Sequence, residues 1–215
     1  MIKFYFTKRS PFARKVKILL SELRSPHDPV EIIPDLQSSS LFGEEYEKLV
    51  PSLKVPAIET DGNIIFESNA VMTYLYQTRV SDGEDGAEIP LAPSVIRPEK
   101  VWEDTMILTT IDTILDSVVN VVLMGRSGTE PEGHPYLSRQ LARAHSCLDW
   151  LEIRASANGF WPGFFSVADI NLICMLQYLQ SNNLVHWSGR SNLEAILALF
   201  SERSSVRENP TPEPL

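Results

Sequence analysis

The chain has 215 residues, 43% of them hydrophobic and 22% charged, with a formal net charge of −9. That length suits one large domain or two modest ones, each able to bury a core. The acidic balance argues against nucleic acid as the main partner, because phosphate binding wants a basic surface, yet a local cluster of cations can still hold a small anion.

The first stretch, residues 1–79, alternates between element types. Ile2–Phe6 is a run of aromatic and β-branched residues and predicts a strand. Pro11 predicts a helix start, where a fixed φ and a missing N–H do no harm. Phe12, Val16, Leu19, Leu20 and Leu23 then fall on one helical face. A second strand is expected over Val30–Ile33, and a short helix over Glu44–Leu49. Two more strands, Val55–Ile58 and Ile64–Phe66, flank the turn residues Asp61-Gly62-Asn63. A closing helix spans Ser68–Thr78. The order is β-α-β-α-β-β-α, with helices covering a small mixed sheet.

Residues 80–98 change character. They are acidic and then proline-rich, with Pro90, Pro93 and Pro98, and read as an exposed linker. Residues 99–215 form an all-helical part. Trp102–Met124 is long and periodic, with Gly125 as its expected stop. Helices follow over Pro135–Ala155, Ser166–Leu179 and Asn192–Phe200. The tail, Glu208–Leu215, is expected to fray.

Cys147 and Cys174 both lie in helical-looking stretches, which argues against a disulfide framework and for a reducing compartment. No zinc-ligand spacing occurs, so no metal is implied. The N-terminus turns polar too soon for a signal peptide, and no apolar run approaches membrane-spanning length. These readings place the protein in the cytoplasm, away from membranes.

Three short stretches each have a plain reading and a chemical one. Ser10 precedes Pro11 and is placed to be the helix N-cap, adding about 1 kcal/mol. The same geometry lets its hydroxyl donate to a bound thiolate, which a helix N-terminus favours. Lowering a thiol pKa from about 8.5 to about 6.5 needs about 2.7 kcal/mol. A charge-assisted hydrogen bond plus a helix terminus is of that size. Pro56, in Lys54-Val55-Pro56-Ala57-Ile58, fits an edge strand. A cis bond there would instead turn the Val55 backbone outward, ready to pair with an extended peptide. Ser68, in Phe66-Glu67-Ser68-Asn69-Ala70, fits a helix cap. With nearby N–H groups it also fits a carboxylate site, and Glu67 beside it a site for an ammonium, the two charges of an α-amino acid head.

Occurring in order, these stretches make the protein resemble the glutathione transferase family over nearly its full length. The resemblance implies a thioredoxin-like N-terminal domain over residues 1–79 and an all-α domain over residues 99–215. It implies that Ser10, in "SPFARK", meets the glutathione sulfur. It implies that Val55, before a cis-proline in "KVPAI", bonds the cysteinyl backbone, and that Glu67 and Ser68, in "ESNAV", hold the γ-glutamyl group. Lys54 and Arg14 are expected to help with carboxylates. Tyr5 is the rival for the sulfur, since some members use a first-strand tyrosine, but it would need a depressed phenol pKa. Thr7 is a lesser candidate. With no cysteine near the first helix, Ser10-Pro11-Phe12-Ala13 cannot form a mixed disulfide.

A fourth match, "SVADI", places Ser166 and Asp169 at capping-box spacing, and the resemblance gives it a structural role in folding. The expected activity is attack by the glutathione thiolate on a small, mainly apolar electrophile, glutathione being a co-substrate. Met106, Ile107 and Thr110 are candidates to line the electrophile's pocket, although such a stripe also suits plain core. A glutathione-binding protein without turnover is the alternative. The family's homodimers direct attention to Met72, Tyr76 and the outer face of residues 100–120.

Overall fold

Ile2–Phe6 forms strand β1, in which Ile2, Phe4 and Phe6 are buried on one face and Tyr5 turns to the other. The computed structural model describes residues 1–35, 38, 40–79 and 89–211. The chain divides into two units, Met1–Gly83 and Glu84–Leu215.

In the first unit, helix α1 (Pro11–Glu22) follows β1, with Pro11 in its first turn. Its stripe buries Val16, Leu19 and Leu20, joined by Ile18, and the Lys17 ammonium lies 3.5 Å from the Phe6 ring centroid. Strand β2 is His27–Glu31, not Val30–Ile33 as expected. Pro29 sits inside it without harm because β2 is an edge strand and pairs only with β1. Helix α2 (Glu44–Leu49) is where the sequence put it. Strands β3 (Ala57–Thr60) and β4 (Asn63–Phe66) meet across Asp61 and Gly62, whose φ values of 52° and 77° suit a two-residue hairpin turn. Helix α3 (Ser68–Arg79) closes the unit. The sheet order is β2-β1-β3-β4, with β1 parallel to β2 and antiparallel to β3, and β3 antiparallel to β4. A mixed sheet with α1 and α3 packed together and α2 set against the Tyr5 face is a thioredoxin-like domain.

The second unit is all-α. Helix α4 (Val101–Arg126) runs through Gly125 and ends at Ser127, with Gly128 at φ 81° just beyond, so Gly128 rather than Gly125 marks the stop. Helices α5 (Pro135–Arg154), α6 (Val167–Asn182), α7 (Ser191–Ser201) and the short α8 (Ser204–Arg207) follow. The sequence reading had no counterpart for α8. By length and composition alone, an 18-residue window within Pro98–Arg126 is apolar enough to cross a membrane, which corrects the expectation that no run is. Ile107, Ile111, Ile114, Leu115 and Val118 of α4 are buried, and the helix packs on α5 and α6 as a core helix does.

Within the stretch expected as linker, residues 80–88 lie outside the described residues. Residues 89–98 depart from an exposed linker. Leu91 bridges to Phe165, Ala92 is buried, and buried Arg97 makes a bidentate pair with Asp104. Of the tail, residues 212–215 lie outside the described residues, while Thr211 donates to Gln177 at 3.1 Å. The capping box forms as read. Ser166 Oγ accepts from the Asp169 N–H at 3.2 Å, and Asp169 accepts from the Ser166 N–H at 2.9 Å.

Candidate functional site

Sheet register decides which residues can act together. Tyr5 of β1 pairs with Ala57 of β3, and Ala57 pairs with Phe66 of β4. Ser10 lies just past the end of β1, Val55 just before β3, and Glu67 and Ser68 just after β4. All three stretches therefore leave the sheet at the same end. Adjacent strands are about 4.8 Å apart, so the row from β1 to β4 spans about 10 Å.

Ser10 caps α1. Its backbone is extended, at φ −81° and ψ 114°, and its Oγ accepts from the Ala13 N–H at 3.1 Å. A hydroxyl has one proton and two lone pairs, so accepting this bond leaves the proton free to be donated. Capping and donating are compatible, and the two readings of Ser10 do not compete.

Tyr5 does compete, and its proton is already engaged. Its hydroxyl donates to Glu59 at 2.8 Å, and Lys3 reaches the same carboxylate at 3.1 Å. Burial first, then the hydrogen bond to Glu59 and the Glu59 charge, push its phenol up to about 12. That is opposite to the depressed pKa the rival role requires. Thr7 is half-buried, and its carbonyl accepts from the Ser10 N–H at 3.3 Å.

The Val55–Pro56 bond is cis. Val55 is half-buried against Tyr46, Val50 and Ala57. Among the described residues no hydrogen bond joins its N–H to the protein. The Lys54 side chain is exposed, while its carbonyl accepts from the Tyr46 hydroxyl at 2.7 Å.

The cap of α3 falls one residue earlier than expected, at Glu67 rather than Ser68. Ser68, read as the cap, is the first residue of α3 and is 6% exposed. Glu67 takes the cap position, its carbonyl accepting from the Val71 N–H at 3.0 Å. Its φ is 66°, a left-handed conformation rare for a glutamate, and it faces solvent. At this corner the Glu67 carboxylate is exposed and the Ser68 side chain is buried.

Lys15 and Asn69 escaped the sequence reading. Lys15 is fully buried, its ammonium 3.2 Å from Asn69 Oδ1 and 5.3 Å from the Phe12 ring centroid. This contact ties the Ser10 helix to the first turn of α3. The cations of "SPFARK" were visible in sequence, but nothing local tells a buried lysine from a solvated one. Arg14, expected to help with carboxylates, is also buried within α1.

Residues 4–82 match the family description "Glutathione S-transferase, N-terminal domain". The chain is 32% identical to maleylacetoacetate isomerase of Mus musculus over 75 residues, which cover 35% of this chain and 34% of that protein. It is 25% identical to glutathione S-transferase 1 of Manduca sexta over 187 residues, covering 86% of this chain and 79% of that one. The chain thus spans about a third of the isomerase's length and most of the insect transferase's. Among solved structures, a glutathione transferase family member from Pseudomonas fluorescens Pf-5 with bound glutathione superposes with a TM-score of 0.80 over 100% of both chains at 24% identity, a likeness of fold.

Proposed function

We propose that the chain is a glutathione transferase of the glutathione S-transferase family, whose N-terminal domain description residues 4–82 match. The observation that carries the reading is the register row, which brings Ser10, Val55 and the Glu67–Ser68 corner to one end of one sheet. A tripeptide extends about 10 Å, the span of that row. The Pseudomonas fluorescens relative is described with glutathione bound, and that description supports the same ligand here.

In this reading glutathione lies extended across the row. Its cysteinyl backbone pairs with Val55. Ser68 and the first N–H groups of α3 take the γ-glutamyl carboxylate, and exposed Glu67 takes the ammonium. Lys54 presents its exposed ammonium to a carboxylate. The sulfur sits at the α1 N-terminus, where Ser10 donates its O–H and the helix dipole adds to the preference for thiolate. The thiolate then attacks an electrophilic carbon of a small, mainly apolar co-substrate. The new S–C bond forms as the leaving group departs with its electron pair. The protein is read as a cytoplasmic homodimer of two domains, residues 1–79 and 99–215, with residues 89–98 packed into the second unit rather than serving as an exposed linker.

Two expected surfaces change. Met72 and Tyr76 are buried and cannot meet a second copy, whereas Trp102 and Met106 on α4 are exposed and can. Ile107 is core and drops from the candidate electrophile pocket.

Calorimetric titration with glutathione, paired with turnover on an activated chloroarene, tests the assignment. Ser10→Ala is expected to bind glutathione nearly as wild type does and to lose roughly ten- to hundredfold in turnover, the worth of one hydrogen bond to a charged group. Unchanged turnover would move the role away from Ser10. Binding without turnover in the wild type would leave a glutathione-binding protein.

A further inference from the structure

The Lys54–Val55 peptide unit has an anchor that the reaction above does not use. Tyr46, on α2, is 4% exposed, and its hydroxyl donates to the Lys54 carbonyl at 2.7 Å. Its ring is held by Tyr5 and Phe42, with centroids 5.4 and 6.0 Å away, in the cluster with Val50 and Ala57. Burial pushes the phenol pKa well up, so the group remains a donor.

The carbonyl of Lys54 and the N–H of Val55 belong to one peptide plane. Among the described residues only Val55–Pro56 is cis, so the Lys54–Val55 bond is trans, and in a trans unit C=O and N–H point in opposite directions. Holding the carbonyl toward buried Tyr46 therefore turns the Val55 N–H away from the cluster. A hydrogen bond to the carbonyl also polarises the unit and strengthens the N–H as a donor. We propose that Tyr46 is a positioning residue for peptide binding: its phenol sets the Lys54–Val55 plane so that the Val55 N–H is aimed at the backbone carbonyl of an extended ligand. This assignment rests on the reading that glutathione lies along Val55.

Tyr46→Phe keeps the ring and removes only the donor. Calorimetry and steady-state kinetics with the activated chloroarene are expected to show glutathione affinity about five- to tenfold weaker and KM raised accordingly, the size of one neutral hydrogen bond. At saturating glutathione kcat stays within about twofold, because the lost interaction acts equally before and during the reaction. The pKa of the bound thiol, read from thiolate absorbance, is unchanged, since Ser10 is untouched. Without ligand, the order parameter of the Val55 N–H vector, read by amide relaxation, is lower in the variant because the peptide plane has lost its anchor. A variant that binds glutathione as tightly as a binding-competent wild type overturns the assignment. So does a variant in which kcat, Tm and affinity fall together, which would make Tyr46 a packing residue only. If the wild type itself binds no glutathione, the functional reading fails. The order parameter of the Val55 N–H then decides the anchoring separately: a lower value in the variant supports it and an unchanged value overturns it.

Discussion

Single residues in this chain differ in how far their neighbours dictate them, and Gly159 is dictated most. Its φ is 94°, and a Cβ built there would lie 3.1 Å from Asp169 Oδ1. That carboxylate also accepts from the Phe160 N–H at 3.0 Å, so the neighbour has little freedom to withdraw. Gly159→Ala combines a backbone penalty with a close contact on a buried charge, and is expected to destabilise the helical unit by about 2–3 kcal/mol. Chemical denaturation followed by helical circular dichroism checks this, and a loss below measurement error would contradict it. Glu67 shows the opposite case: a non-glycine held at φ 66°, in the left-handed region that glycine would occupy without strain. Legibility at this scale follows the reach of the interaction. Ser10 was readable because a cap bonds only three residues away. The plane-setting bond of Tyr46 reaches eight residues and exists only once α2 has folded onto the sheet. The burial of Lys15 needs α3, more than fifty residues on, and leaves no mark in its own sequence neighbourhood.

Elements were legible where their signals are local and blurred where a partner supplies the signal. The Ser166–Asp169 box was read from spacing and is present. The start of α7 was not readable as capped, because Arg190 caps nothing with its side chain. Glu152 of α5 does the work instead, accepting from the Asn192 N–H at 3.0 Å and the Leu193 N–H at 3.1 Å. Strand β2 was misplaced because Pro29 reads as a breaker until the strand is known to lie at an edge. The capping box also carries a pH dependence. Burial pushes Asp169 up to about 6, outweighing its bonds from Ser166 and Phe160 and the nearby Arg97 charge. A folded-state pKa above the unfolded value of about 3.9 means the folded chain holds this proton more tightly. The stability Asp169 contributes is then fully present below about pH 4 and is lost as pH rises to about 6. Urea midpoints for wild type and Asp169→Asn, taken across that window, are expected to show the wild-type advantage shrinking with rising pH. An advantage that grows with pH would mean that the hydrogen bonds from Ser166 and Phe160 outweigh burial.

For the whole molecule, the order of elements and the change from mixed sheet to helices were legible, because each rests on periodicity repeated over many residues. The surface expected for a second copy, Met72, Tyr76 and the outer face of residues 100–120, came from the resemblance instead, since periodicity marks the face that is buried and not what covers the rest. Met72 and Tyr76 fit the α3 stripe and are buried in the chain's own fold. Trp102 stands 81% exposed, with Met106 one turn along α4 at 49%. Covering one exposed tryptophan contributes on the order of 3 kcal/mol. In a two-fold dimer the same residue is covered twice, so its loss removes on the order of 6 kcal/mol before ordering costs are subtracted. That is enough to weaken a dimer about ten-thousandfold. Light scattering at micromolar concentration is therefore expected to give twice the 24.2 kDa chain mass for the wild type. Trp102→Asp is expected to give the mass of a single chain with helical content unchanged, because the residue touches no core. A wild type that scatters as one chain would remove the homodimer from the functional reading. A dimeric Trp102→Asp would move the contact to another face while leaving the dimer in place.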